Sequence, residues 1–253
     1  MPTLQTARLH ERLARRLALE IVAGQWSQDE VVPSAEVLAA DYGVSRTVAR
    51  ETLQALSSAG LISVRHGKRT VVAPMYEWRF LDDLVQSAVA SGRIGGKVAT
   101  DLLETRICLE IQAARWCAQR ASDELLESIN ETAEDQLRLA KDPAPSMNEL
   151  AAIDIRFHTL LVQGSDNNVV AQLASSLRRQ LIPTWALDQL EPDELVKNAR
   201  EHLSIAMALQ SRDPDAVQKA VAKHFDWAAD SMLKRSIPDL DHSEADRRIR
   251  LDR

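Results

Sequence analysis

The sequence predicts a mainly α chain in two parts. A small N-terminal unit of three helices closed by a two-stranded ribbon leads into an antiparallel all-α bundle of six or seven helices. Three observations predict this. Leu9, Leu13, Leu17 and Ile21 recur at helical spacing. Between Ser45 and Val72 the pattern changes from a helix to two short apolar runs around a basic glycine turn. From about residue 80 the spacing is helical almost to the end, punctuated by glycine and proline, with no convincing strand.

The first helix stops near Gly24, and Pro33-Ser34 opens a second over 35–41, with Val37, Leu38 and Tyr42 facing the core. Gly43 makes a turn, and Val44 plugs the gap between the second and third helices. Ser45 can cap the third helix by accepting a bond from an unpaired N–H. Val48, Leu53 and Leu56 give that helix an apolar side, whereas Arg46 and Arg50, four apart, share another. Gly60 ends it. Leu61, Ile62 and Val64 lead into the turn Arg65-His66-Gly67-Lys68, and Thr70-Val71-Val72 returns. Two arginines or one glycine turn are weak signals singly. Their order is that of a winged helix-turn-helix, which sets the third helix in the major groove of double-stranded DNA. Arg46 and Arg50 would meet bases or phosphates, and Ser45 and Thr47 phosphate. His66, Gly67 and Lys68 would form the wing tip.

The chain has 253 residues, enough for two domains, and a net charge of −6. Residues 1–73 hold nine Lys or Arg against seven Asp or Glu, and the remainder holds 22 against 30. The basic groups therefore concentrate where DNA contact is expected, and the acidic total does not exclude it. Cys108 and Cys117 lie nine apart in one expected helix, about 13 Å at the helical rise. That is too far for a disulfide, and both read as buried thiols in a reducing cytoplasm. The first ten residues do not read as a signal peptide, and no apolar run would span a membrane.

The expected domains are 1–73 for the winged helix, 74–80 for a linker and 81–237 for the helical half, followed by a disordered tail at 238–253. Helices are expected at 80–91, 97–121, 122–141, 146–164, 167–190, 192–212 and 213–236, with Pro183 kinking or breaking the fifth. Within them, Asp154 and His158 stand at i, i+4 among apolar neighbours, and His202 and His224 lie on later helices. Imidazole and carboxylate suit a divalent ion such as zinc. Spacing alone does not bring these helices together, and each histidine could equally be a hydrogen-bonded structural residue. Arg106, one turn before Glu110, could clamp a carboxylate or make a surface ion pair. Trp185 after Pro183 could line a ligand site or the core.

The chain resembles the GntR family of bacterial transcription regulators, in its FadR subfamily. The matching residues are Pro33-Ser34, Leu38-Ala39, Tyr42 to Thr47, Arg50-Glu51, Leu53, Leu56, Gly60-Leu61 and His66-Gly67-Lys68. In the second half, Arg106 and Glu110, Asp154, Phe157-His158, Asn168, Glu201-His202 and His224 match the subfamily's motifs. The resemblance implies operator contacts at Arg46, Thr47, Arg50, His66 and Gly67. With Ser34, Ser45 and Lys68 these make the expected DNA-binding set. It implies a divalent ion, zinc or else nickel, on Asp154, His158, His202 and His224. It further implies a small carboxylate effector, with Arg106, Asn168 and Trp185 as effector-binding residues. Trp78, Leu81 and Asp82, with Thr184-Trp185, are similar to members that sense sugar acids. One departure stands out: Glu36 occupies a position where the family often has a base-contacting arginine. The expectation is a homodimeric, cytoplasmic repressor that leaves a palindromic operator when its effector binds. A metal-dependent enzyme acting on a small carboxylate and an acyl-CoA sensor are the alternatives.

Overall fold

The computed structural model describes residues 4–65, 69–91, 96–181, 187 and 190–236. Contacts divide the chain into two compact units, Met1–Gly95 and Gly96–Arg253.

The first unit contains α1 (Leu4–Val22), α2 (Ala35–Tyr42), α3 (Arg46–Ser58), β1 (Ile62–Arg65), β2 (Arg69–Val72) and α4 (Asp83–Ser91). Leu13, Leu17 and Ile21 of α1 are buried, but Leu9 is exposed. Leu38 is buried in α2, whereas Val37 on the same helix points outward. A left-handed Gly43 (φ 63°) ends α2, because its missing Cβ removes the clash that other residues meet there. α3 carries Val48, Thr52 and Leu56 inward, and Thr52 Oγ1 donates to His10 O of α1. Its C-terminus is a Schellman motif: Gly60 N–H donates to Ser57 O and Leu61 N–H to Leu56 O, with Gly60 at φ 76°.

β1 and β2 pair antiparallel from Ile62↔Val72 to Arg65↔Arg69. The stretch before α2 adds to this ribbon. Val31 bridges Val71, Val32 N–H donates to Thr70 O, and Val72 N–H donates to Glu30 O. Residues 74–80, read above as a linker, hold a 3-10 turn at Met75–Glu77, and Arg79 N–H bonds Ala59 O. Trp78 Nε1 donates to Ala73 O at 3.1 Å. α4 packs on α1, so 81–91 clusters with the first unit, not with the helical half as expected. Val85, Ala88 and Val89 are its buried face.

The second unit is α5 (Gly96–Arg120), α6 (Asp123–Ala140), α7 (Met147–Gln163), α8 (Asn168–Leu181), α9 (Pro192–Gln210) and α10 (Pro214–Ser236). Ser122 and Ser146 cap α6 and α7 through their hydroxyls. Pro192 and Pro214 open α9 and α10, where a missing N–H costs nothing. α5 packs on α7, α8, α9 and α10, and α9 packs on α6 and α10. Ile107, Phe157, Leu161, Ile205, Leu209, Val221 and Phe225 are buried between them. Each such side chain contributes roughly 1.5–3 kcal/mol by leaving water. Arg212 ties α5 to α6, donating to Ala121 O at 3.0 Å and to Asp123 Oδ1 at 2.6 Å.

Of the expected helix 167–190, the described residues hold α8 as far as Leu181, and Pro183, Thr184 and Trp185 lie outside them. The expectation for the cysteines needs correction. Cys117 is buried against Gly164, and burial pushes its thiol pKa up to about 12, but Cys108 is exposed. Cys108 falls on the outward side of α5, which helical phase decides and a count of apolar neighbours does not. The expected tail, 238–253, lies outside the described residues.

Candidate functional site

In the first unit, Ser34 Oγ accepts from Val37 N at 3.4 Å and Ser45 Oγ from Val48 N at 3.2 Å. Both serines are therefore helix caps, each worth about 1 kcal/mol. The cap at Ser45 sets the start of α3, where Arg46, Thr47 and Arg50 are all exposed. Free N–H groups and the helix dipole make such a start attractive to phosphate. Glu36 approaches this face: its Oε1 lies 3.9 Å from Arg50 Nη2. Its own backbone N–H and the Ser34 hydroxyl, then Arg46 and Arg50, hold its carboxyl below the usual value. Glu36 thus stays ionised beside the arginines. His66, Gly67 and Lys68 lie outside the described residues.

In the second unit, three helices bring the histidines together. His158 comes from α7, His202 from α9 and His224 from α10, all buried, with one nitrogen of each within 4.8 Å of the others. His202 Nε2 stands 3.3 Å from His224 Nε2 and 3.8 Å from Asp154 Oδ1. Two of the outer nitrogens, those of His158 and His202, have partners, whereas His224 Nδ1 is buried with no hydrogen-bond partner among the described residues. Glu110 Oε2 meets His158 Nδ1 at 2.5 Å, and Gln136 Oε1 meets His202 Nδ1 at 2.5 Å. Those acceptors place the proton on Nδ1 and leave the Nε2 lone pairs facing inward. Gln136 and Asn198 also donate to Asp154 Oδ1, at 3.5 and 3.4 Å.

The electrostatics keep the three imidazoles unprotonated. Burial, and then Arg178, bring His202 down to about 3; burial also holds His158 and His224 well below the usual value. All three are neutral near pH 7, the form that ligates metals. Burial alone would raise the Asp154 carboxyl, but the positive charges around it, Arg178 and Arg106 among them, outweigh burial and lower it. The 3.3 Å between His202 Nε2 and His224 Nε2 can be bridged by a proton on one of them or by a shared cation. Two nitrogens sharing a tetrahedral zinc at ~2.0–2.1 Å would stand about 3.3 Å apart. The donor set therefore fits a divalent ion.

Arg106 does not make the surface pair considered as its alternative. It is 1% exposed, its Nε donates to Glu110 Oε1 at 2.6 Å, and its guanidinium lies 5.2 Å from the centre of the Phe225 ring. Asn168 is exposed in the first turn of α8, where Asn167 supplies the cap by accepting from the N–H groups of Val169 and Val170. Trp185 lies outside the described residues. Beside the histidines, a cavity of about 220 Å³ opens between α5, α7 and α8. Glu110, His158 and Arg178 are its charged and ligating wall, and Thr159, Gln163 and Ser175 add polar groups. It lies below the ~300–1,000 Å³ common for larger ligands, so it suits a small molecule.

Gln136, Asn198 and Arg178 were not singled out from the sequence. A signal exists for the two amides. Gln136 falls in line with the buried Ile129, Ala133 and Ala140, and Asn198 with the buried Leu195, His202 and Ile205. A polar side chain on a buried stripe needs a partner, which directs attention to the site.

A winged helix with a basic recognition face, joined in one chain to a helical unit with a small open cavity beside buried histidines, defines a ligand-responsive DNA-binding regulator. Residues 9–72 match the gntR family of bacterial regulatory proteins, and residues 101–226 match the FCD domain. The chain belongs to the GntR family, with an FCD effector domain; it is a regulator and not an enzyme. Over 214 residues it is 28% identical to the galactonate operon transcriptional repressor of Escherichia coli K12, covering 83% of this chain and 90% of that one. It is 26% identical over 243 residues to the transcriptional repressor NanR of Cronobacter sakazakii, covering 92% and 90%. Among solved structures, Lar of Listeria monocytogenes matches with a TM-score of 0.58 at 15% identity, covering 94% of this chain and 99% of that one. That likeness concerns the fold. No described helix is long and apolar enough to cross a membrane.

Proposed function

We propose that this chain is a homodimeric, cytoplasmic repressor of the FadR subfamily that leaves a palindromic operator when a small hydroxylated carboxylate, of the sugar-acid class, occupies its helical unit. The observation that carries the reading is the buried convergence of three neutral histidines and Asp154 beside a small cavity with a guanidinium in its wall. The relatives named for galactonate regulation and as NanR support the sugar-acid class. Ser34, Ser45, Arg46, Thr47 and Arg50, with His66, Gly67 and Lys68, would hold the DNA. A two-fold dimer would present two such faces to symmetric half-sites.

Asp154, His158, His202 and His224 would hold the ion, zinc or nickel. Bound there, it would supply Lewis acidity and positive charge for a carboxylate. The chain's own residues prepare the place. Glu110 and Gln136 orient two of the imidazoles, Arg106 holds Glu110 in place, and burial excludes water. Arg106, Asn168 and Trp185 are the effector residues that the family resemblance names. An acyl-CoA fits poorly, because a long acyl chain needs an apolar tunnel and this cavity has Glu110, His158 and Arg178 in its wall. Effector binding must differ in affinity between the DNA-competent and DNA-incompetent arrangements for a signal to pass.

The test is fluorescence anisotropy with the DNA upstream of the chain's own gene, with zinc-loaded protein and a panel of aldonates and dicarboxylates. Sequence-selective, salt-dependent binding that one of these acids reverses is expected. DNA binding with no preference for that region, or indifferent to every acid, would overturn the reading.

A further inference from the structure

The helical unit contains a second buried guanidinium, Arg178 of α8, and its charge is matched differently from that of Arg106. Glu110 is fully engaged: one oxygen accepts from Arg106 Nε and the other meets His158 Nδ1. Arg178 Nη1 donates to the main-chain oxygens of Ile155 at 3.0 Å and Asp154 at 3.5 Å. Its Nη2 is buried with no hydrogen-bond partner among the described residues, and it lies 3.6 Å from Asp154 Oδ2. Asp154 is thus the carboxylate nearest Arg178, yet it is also the acidic donor beside His202. When Asp154 turns its charge to an ion, Arg178 is left buried without a full counter-charge. A buried cation in that position needs an anion. Burial, followed by Arg106, lowers its pKa only to about 10, so it remains charged at neutral pH.

Arg178 also lines the cavity, which Glu110 cannot serve as an anion site because it is itself an anion. We propose that Arg178 receives the effector's carboxylate, and that Thr159, Gln163 and Ser175 meet the hydroxyls on the rest of the ligand. This rests on the carboxylate-and-metal reading above and names the residue that selects the charged end. Arg106, held by Glu110 against the Phe225 ring, acts as a fixed positive charge behind the histidines. The ligand class that follows is a hydroxylated monoanion or dianion, and not the uncharged polyol of the same length.

The test uses full-length protein with its zinc content measured. Acetate, galactonate and uncharged galactitol are titrated calorimetrically into wild type, Arg178→Gln and Arg178→Lys. Acetate and galactonate should bind wild type and galactitol should not. Arg178→Gln should weaken acid binding about tenfold or more, as expected when a charge-assisted bond is lost. Arg178→Lys should fall between. Should Arg178→Gln lose zinc or unfold, the side-chain ¹⁵N resonance of Arg178 in wild type, assigned with Arg178→Lys, carries the test and should shift with either acid. Equal acid binding by wild type and Arg178→Gln at equal zinc content would overturn the proposal, and so would a wild type that binds neither acid at high millimolar concentration. Acid that shifts Arg178 in protein without zinc would sink the metal reading and leave this assignment standing. Zinc bound with Arg178 unmoved by the acids would do the reverse.

Discussion

His202 Nδ1 lies 2.5 Å from Gln136 Oε1, and through that contact α6 sets which nitrogen of an α9 histidine faces the centre of the site. The same amide donates to Asp154 Oδ1 from its other end at 3.5 Å. One buried side chain therefore fixes the tautomer of one metal-site residue and the direction of another. Outer partners of this kind typically change metal affinity 10–100-fold when removed. Gln136→Leu, close in volume but without the amide, should weaken zinc binding by about that factor. Competition against a fluorescent chelator measures it, and an unchanged affinity would assign Gln136 to packing alone.

The histidines also predict how the metal-free protein responds to acid. His202 is held at about 3, and His158 and His224 also lie well below the usual value, chiefly through burial. The unfolded chain binds protons at those residues near pH 6.5, whereas the folded one does not. Stability is therefore fully present above about pH 6.5 and declines as the pH falls toward the folded values, by up to about 1.4 kcal/mol per pH unit for each histidine. Urea melts of chelator-treated protein should show a flat midpoint from pH 8 to 7 and a falling one from pH 6.5 to 5. Bound zinc should shift the decline to lower pH, because it occupies the same nitrogens.

Gly60 and Gly43 make a matched pair of turn positions. Both have positive φ, 76° and 63°, but a Cβ on Gly60 would sit 2.2 Å from Glu77 O, whereas one on Gly43 would meet nothing within 4 Å. Gly43→Ala should cost only the left-handed backbone term, ~1–2 kcal/mol. Gly60→Ala should cost clearly more, since the 74–80 segment must also move. Thermal melting that ranks them the other way would count against the packing of Glu77 on the end of α3.

Glu36 and Arg50 give a prediction for DNA. Glu36 is ionised and 3.9 Å from an arginine on the recognition helix. Glu36→Gln should therefore tighten binding to unrelated DNA and steepen its salt dependence, since one repulsion from phosphate is removed. Arg46→Ala should weaken binding and reduce the salt slope by about one if its contact is to phosphate. Anisotropy titrations at several salt concentrations separate the two effects.

Removing Glu110 should be more damaging than removing an exposed acid. Glu110→Ala would leave Arg106 buried without its carboxylate and His158 without its Nδ1 partner. Breaking a buried pair from one side costs about 3–5 kcal/mol. A denaturant melt should show that loss together with weaker zinc binding, whereas Glu134→Ala on the exposed side of α6 should show neither.

Much of the fold was legible because it depends on short-range rules. Helical spacing, serine caps, proline starts and glycine ends act within a few residues, and they set the bounds of α2, α3, α6, α7, α9 and α10 to within a few positions. The order of elements in the first unit, with Ser45, Arg46 and Gly60 in their roles, was open to the same reasoning. Helical phase was harder. Cys108 and Val37 were expected inside and lie outside, because a count of apolar residues does not say which side of a helix meets its neighbour.

The sequence by itself determined that a basic winged helix precedes an all-helical half, and that Asp154, His158, His202 and His224 have the chemistry to bind a metal. Only the tertiary structure decided that the three histidines, from α7, α9 and α10, meet with their nitrogens inside one buried site. It also decided that Gln136 and Glu110 orient them and that Arg178, rather than Arg106, lines the adjoining cavity. The physical reason is distance along the chain. Periodicity reports the buried side of each helix, but which helices meet, and at what rotation, depends on packing among side chains dozens of residues apart.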